Sequence, residues 1–226
     1  MTCCGHCQDA EGFFNDWTAR RELRRYRRKG PTKSTQLLLE PLRPDAGGAT
    51  LLDVGGGIGA IQHELFGEGL AEAVQVDASS PYLAVARKEA ERSGHGERAA
   101  FVHGDFVEMS GEFSRADLVT LDRVICCYPY LEALLEASMD RARRVVGLVY
   151  PRERWGTRMA MKVGNFWFRV RGSAFRLYLH SPDRVGALLR EGGFELEERA
   201  HTFIWRVEIY RRTAGDRPRP SRGEEG

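Results

Sequence analysis

The chain has 226 residues, 42% of them hydrophobic and 29% charged, with a formal net charge of +2. That length suits one α/β domain with an appendage, and the composition supports a real core under a soluble surface. No apolar run is long enough for a helix to span a bilayer, so integral membrane association is not expected.

The first residues, MTCCGHCQDAEGFF, lack the basic-then-apolar order of a signal peptide. Cytoplasmic residence is therefore the expectation, with the five cysteines reduced. Cys4-Gly5-His6-Cys7 has the spacing of a disulfide-exchange motif, but no strand precedes it. Cys3, Cys4, Cys7, Cys126 and Cys127 can also be combined into a four-thiolate site. Adjacent cysteines at a strand end are more often small apolar packing, so the expected metal complement is none.

Charge is unevenly placed. Eight basic residues face one acid, Glu22, between Arg20 and Lys33, and ten face one acid, Glu153, between Arg141 and Arg176. These stretches are either solvated faces or an electropositive surface for an anionic partner. Residues 11–29 and 33–42 read as two helices broken at Gly30-Pro31, with Thr32 or Ser34 as the second cap. Together 1–42 form an expected helical cap, with Tyr26 facing a ligand.

From Ala49 the pattern changes to short apolar runs alternating with helical stretches. The runs are 50–54, 73–77, 99–103, 117–121 and 144–150; helices are expected over 58–69, 80–93 and 130–142. Buried parallel strands with crossover helices produce this alternation. FELEERAHT and FIWRVEIYRR then read as an antiparallel pair near the end. The expected architecture is a Rossmann-like doubly wound α/β sheet of seven strands over 43–212, mostly parallel, with an antiparallel C-terminal hairpin and helices on both faces. Segment 151–180 is basic and aromatic together, with Trp155, Phe166, Trp167, Phe168, Phe175 and Tyr178. It emerges at the ligand side of such a sheet and is expected to be a lid over a pocket; the alternative is a helix with an apolar core face. The tail 214–226 is polar and Pro/Gly-rich, so disorder is expected.

Leu51-Leu52-Asp53-Val54-Gly55-Gly56-Gly57-Ile58-Gly59 follows the first strand and opens a helix. Glycines at such a turn let the backbone pass close to a ligand, and the helix N-terminus presents free N–H groups. Gly55, Gly57 and Ala60 also satisfy the G-x-G-x-x-A spacing of a dinucleotide loop. Three details favour a different cofactor. Asp53 precedes the first glycine by two residues, where a carboxylate can meet a ligand ammonium. Gly59 extends the spacing to Gly-x-Gly-x-Gly. Gly104-Asp105-Phe106 follows the third strand, where a carboxylate and a ring can grip an adenine. Each acid has a structural alternative: Asp53 capping the turn, Asp77 capping the next helix as Ser79 or Ser80 also can, and Asp105 ending a strand.

The D-x-G-x-G-x-G loop after the first strand resembles the cofactor loop of class I S-adenosylmethionine-dependent methyltransferases, and the likeness runs from about Thr50 to Arg211. The resemblance implies S-adenosylmethionine as cofactor, with Gly55, Gly56, Gly57 and Gly59 packed on its methionine part. It implies Asp77, with Ala78 beside it, on the ribose hydroxyls, Asp105 and Phe106 at the adenine, and Asp122 between cofactor and substrate. Two stretches, Leu121-Asp122-Arg123-Val124-Ile125-Cys126-Cys127-Tyr128-Pro129 and Phe175-Arg176-Leu177-Tyr178-Leu179-His180, resemble the magnesium-protoporphyrin methyltransferase branch. That branch esterifies a porphyrin carboxylate and carries a His just before the Tyr-Pro; here Cys127 stands there.

Methyl transfer by in-line displacement depends mainly on positioning. A carboxylate acceptor needs no base, whereas a hydroxyl or amine can need one. His180 and Tyr128 are the catalytic candidates, each with a packing or hydrogen-bonding role as the alternative. The expected partner is a small apolar or acidic molecule. DNA is not expected, and no RNA-binding module is visible. Peripheral membrane contact stays open, and the oligomeric state is not legible. The rival functions are a nicotinamide-dinucleotide-dependent oxidoreductase, which leaves Asp53 and Asp105 without a task, and an inactive methyltransferase-like binding protein recruiting its partner through the basic stretches.

Overall fold

The asparagine before the first helix opens the described part of the chain. Asn15 accepts a hydrogen bond from the Thr18 amide at 3.2 Å and so satisfies one of the free donors of α1 (Asp16–Lys29). Asp16 in the first turn and Arg27, Arg28 and Lys29 in the last complement the helix dipole. Gly30, at φ 70°, ends the helix, and Thr32 caps α2 (Lys33–Leu42) through the Thr35 amide. The computed structural model describes residues 15–173 and 175–213; the expectations for 1–14 and for the tail 214–226 lie outside them.

Next come β1 (Thr50–Val54), α3 (Ala60–Gly67), β2 (Glu72–Asp77), α4 (Ser80–Arg92), β3 (Ala99–His103), a short α5 (Phe106–Met109), β4 (Ala116–Asp122), α6 (Leu131–Arg141) and β5 (Ala142–Pro151). Then follow α7 (Trp155–Val170), α8 (Pro182–Glu191), β6 (Phe194–His201) and β7 (Trp205–Arg212). The seven strands form one sheet in the order β3-β2-β1-β4-β5-β7-β6. β1 to β5 pair in parallel. β7 runs antiparallel to both β5 and β6, so it is an interior strand and β6 forms the edge.

Alternation along the strands builds two cores. Leu51, Leu118, Val145 and Val149 face α2 and α3, where Leu38, Leu39, Leu42, Ile61 and Leu65 meet them. Leu52, Val119, Val146 and Leu148 face the opposite side, against Leu131, Leu134 and Leu135 of α6 and Val185 and Leu189 of α8. Apolar residues on both faces of each strand are what a doubly covered sheet requires. The expected cap over 1–42 therefore divides. α2 belongs to the core layer: a Cβ on Gly147 of β5 would stand 2.8 Å from Leu38. α1 instead lies against α4, where Ala19 packs with Tyr82 and Val85.

The helix expected from residue 58 begins at Ala60, because the glycine loop continues through Gly59, which is left-handed at φ 78°. The 151–180 segment also divides. α7 has no fully buried residue, and the chain from Phe175 to His180 runs without regular structure back across the sheet end.

Candidate active site

Right-handed crossovers bring the ends of successive parallel strands to one side of the sheet, and ligands bind there. In this chain a cavity of about 370 Å³ opens at that side. Its wall combines Gly55, Gly56 and Gly57 after β1, Asp77 and Ala78 after β2, Gly104, Asp105 and Phe106 after β3, and Asp122, Arg123 and Tyr128 after β4. Glu22 of α1, Tyr82 of α4, Phe175, Leu177 and Trp205 close the remaining sides.

The glycine loop is held from behind by β2. The Gly57 amide donates to Asp77 Oδ2 at 3.0 Å, and the Gly57 carbonyl accepts from Gln75 Nε2 at 2.7 Å. Gly55 and Gly57 adopt φ 63° and 58°, a region that costs a residue with a Cβ about 1–2 kcal/mol. Gly55 is further constrained, since a Cβ there would stand 2.5 Å from Val124 Cγ2.

Asp77 takes a second bond from the Ser79 amide at 2.9 Å. Burial pushes its carboxyl up to about 6, against the pull of those two amides. It stays partly open to the cavity, and each oxygen retains a lone pair beyond its amide bond. Asp105 caps α5 through the Val107 amide at 2.9 Å and accepts the Tyr128 hydroxyl. Asp122 accepts the Thr35 hydroxyl at 2.6 Å and the Arg123 Nε at 3.1 Å, so α2 is tied to the end of β4. Arg123 is itself left-handed at φ 65°, a strained conformation of the kind that clusters at ligand sites.

Four expected site residues stand elsewhere. Tyr26 packs against His63 and donates to Glu64 at 3.0 Å; Glu22, one helical turn earlier, takes the place at the cavity. Asp53 lies beneath the loop, fully buried, accepting the Thr120 hydroxyl at 2.7 Å. Its Oδ2 has no hydrogen-bond partner among the described residues, and a Cβ on Gly56 would overlap it. Burial pushes the Asp53 carboxyl up to about 7. Gly59 caps α3 against Gln62 and His63 rather than lining the cavity. His180 donates Nε2–H to the Ile125 carbonyl at 2.8 Å, and burial lowers its pKa. Its ring anchors the returning chain and is not part of the wall.

Of the six aromatic residues expected in a lid, Phe175 lines the cavity. Cys126 and Cys127 also reach the wall, with sulfurs 3.6 Å apart. No group of three or more potential metal ligands forms among the described residues; Cys3, Cys4 and Cys7 lie outside them. Sequence reasoning missed Glu22, Tyr82 and Trp205. Glu22 carried a signal, as the single acid in a basic helix. Tyr82 donates to Glu22 at 2.9 Å, a pairing with no trace in local pattern.

A methyltransferase-domain family model matches residues 51–147, from β1 into β5. No curated protein matches the sequence. Among solved structures, the chain is similar to magnesium protoporphyrin IX methyltransferase from Synechocystis PCC 6803 with bound S-adenosylhomocysteine, at TM-score 0.71 and 19% identity over 90% of this chain and 98% of that one. The same enzyme with bound S-adenosylmethionine gives 0.68 and 16%, over 94% and 100%. An O-methyltransferase family protein from Burkholderia thailandensis gives 0.66 and 15%, over 80% and 56%. The strand order with β7 inserted, the cavity at the strand ends and these likenesses establish that the chain has the fold of the class I S-adenosylmethionine-dependent methyltransferases.

Proposed function

We propose that this protein is an S-adenosylmethionine-dependent methyltransferase acting on a small apolar or acidic molecule. One observation carries the reading: acidic residues from the ends of β2, β3 and β4 meet the glycine loop in a single cavity. The residues present fit the cofactor. Loop glycines without room for a side chain let a ligand approach the backbone, and Asp77 and Asp105 offer acceptors for hydroxyl and amino groups.

When bound, the cofactor supplies an electrophilic methyl on a sulfonium. The protein's share is positioning and exclusion of water. Asp77 and the Gly55–Gly57 backbone hold one part of the cofactor; Asp105, fixed by Tyr128, and Phe106 hold the other. Phe175, Leu177, Leu134 and Trp205 give the rest of the cavity an apolar wall for the acceptor. Among the described residues no histidine lines it, which favours an acceptor that ionises on its own, such as a carboxylate, over one that needs a base. Such an acceptor also agrees with the acidic substrate that the sequence likeness suggests.

The test is calorimetric titration of the full chain with S-adenosylmethionine and S-adenosylhomocysteine, with NAD and NADP as controls, on wild type and Asp77→Ala. Micromolar binding of the sulfur cofactors, weakened at least tenfold by the substitution, is expected. Preference for a nicotinamide cofactor would move the chain to dehydrogenase chemistry. Cofactor binding without turnover on any carboxylic acid tried would favour the inactive binding role.

A further inference from the structure

α7 presents an apolar face that the rest of the described chain leaves uncovered. Trp155, Met159, Val163, Phe166 and Val170 recur at intervals of three and four residues, with Trp167 beside them, and so share one side of the helix. All six are exposed, Trp155 at 80% and Phe166 at 63%. The opposite side makes the contacts with the body of the protein. Asn165 bonds the Leu177 backbone through both its amide nitrogen and its oxygen, at 2.9 and 2.8 Å, and Phe168 packs edge-on against Phe175. The apolar face is thus turned away from the cavity, and it is not the inner surface of a lid.

Its flank is basic. Arg158, Lys162 and Arg169 fall on one row beside the apolar stripe, spaced four and seven residues apart. Arg158 also pairs with Glu153, the one acid between Arg141 and Arg176. At the N-terminal end of the helix the turn between β6 and β7 extends the same surface. Phe203 is 78% exposed, Arg154 stands 4.9 Å over its ring, and the Arg152 amide bonds the Ile204 carbonyl. An apolar stripe containing tryptophan and phenylalanine, edged by arginine and lysine, is the pattern of a helix lying in a bilayer interface. The aromatic rings suit the boundary between head groups and acyl chains, and the cations suit anionic head groups. A partner protein would need an acidic rim placed along one edge of its apolar patch to match the row of cations, whereas an anionic bilayer supplies both together.

We infer that α7, with the Phe203–Ile204 turn, docks this protein onto a membrane surface carrying anionic lipids. The inner side of α7 rests on the Phe175–Leu177 chain that walls the cavity, so docking sets the cavity beside the bilayer, within reach of an apolar acceptor dissolved there. The inference does not depend on methyl transfer, and its readout needs neither cofactor nor acceptor.

The experiment is flotation of the full chain with vesicles of phosphatidylcholine alone and of an equimolar mixture with phosphatidylglycerol. Two variants accompany wild type: Trp155→Ala/Phe166→Ala/Trp167→Ala, and Arg158→Glu/Lys162→Glu/Arg169→Glu. All six positions are on the outside of α7, so both variants are expected to melt with the wild type. Binding to the mixed vesicles about tenfold or more above phosphatidylcholine, cut at least tenfold in each variant and weakened by high salt, is the expected result. Tryptophan emission should shift to the blue on binding in the wild type and the charge-reversal background alike in proportion to the bound fraction. Equal binding to both vesicles, binding unchanged in either variant, or no binding overturns the inference. So does a wild-type dimer by light scattering that the aromatic variant converts to monomer while vesicles capture neither; the face would then belong to a second copy of the chain.

Discussion

The Tyr128 hydroxyl donates to both carboxylate oxygens of Asp105, at 3.0 and 3.1 Å. The contact joins the loop after β4 to the loop after β3 across the mouth of the cavity. It also commits Tyr128 to holding an acid in place, a different task from taking a proton off an acceptor.

Tyr128→Phe should therefore weaken S-adenosylhomocysteine binding about tenfold, the worth of roughly 1.5 kcal/mol in a charge-assisted hydrogen bond. Turnover at saturating substrates should change little. Calorimetry and steady-state rates separate the roles: a fall in turnover of a hundredfold or more with unchanged affinity would make Tyr128 a general base after all.

Gly55→Ala and Gly57→Ala should differ. Both place a side chain in the left-handed region, but the new methyl at 55 would press on Val124, whereas at 57 it would reach Tyr82 at an ordinary 3.5 Å. Urea unfolding should show a loss of about 1 kcal/mol for Gly57→Ala and at least twice that for Gly55→Ala. Equal losses would mean that the loop relaxes freely.

Asp53 gives a pH dependence whose sign is fixed by its burial. Its carboxyl is pushed up to about 7 from an ordinary 3.8, so between those values the folded chain binds a proton that the unfolded chain releases. Stability from this group is fully present below about pH 4 and is lost as pH rises toward and through 7. Asp53→Asn keeps a carbonyl for the Thr120 hydroxyl and has no charge to bury. The unfolding free energy of the variant relative to wild type should rise from pH 5 to about pH 7 by on the order of 2–3 kcal/mol and level off above it. A flat difference would show that Asp53 stays ionised throughout.

Glu89 is the opposite case. Burial alone would raise it, but bonds from Arg92 at 2.6 Å and Arg27 at 2.5 Å outweigh that and hold it down to about 2. Its contribution is present above the ordinary value near 4.5 and is lost as pH falls toward 2. Because Arg27 lies on α1, Glu89→Gln should cost about 2 kcal/mol in urea at pH 7 and speed amide exchange in α1. That excess cost should shrink in acid.

Much of this arrangement was legible in the sequence. Short, nearly continuous apolar runs, hydrophobic on both faces, marked the parallel strands, and the glycine spacing placed the loop after β1. The acids at 77, 105 and 122 were readable because strand ends share one side of the sheet. What stayed hidden depends on contacts between distant elements. Which of Glu22 and Tyr26 reaches the cavity turns on how far along α1 the cavity lies, since both residues share one helical face a turn apart. His180 followed an aromatic segment, as a catalytic group would, yet its partner is a backbone carbonyl 55 residues away. In α7 the apolar period was visible, but periodicity alone does not say whether an apolar face is inside or out.

The place of β7 bears on how the molecule is made. During synthesis the strands emerge in chain order, and domains begin to fold from the N-terminal side. β1 to β5 can pair as soon as they are available, but the strand that covers β5 is the last of the seven. Until then β5, with its Val145-Val146-Gly147-Leu148-Val149 centre, is an open, strongly apolar edge of the kind that recruits foreign strands. A nascent chain paused before β7 is thus complete at the glycine loop and still unprotected at its sheet edge. A ribosome stall in that interval should make it a preferred client of chaperones that bind extended apolar segments.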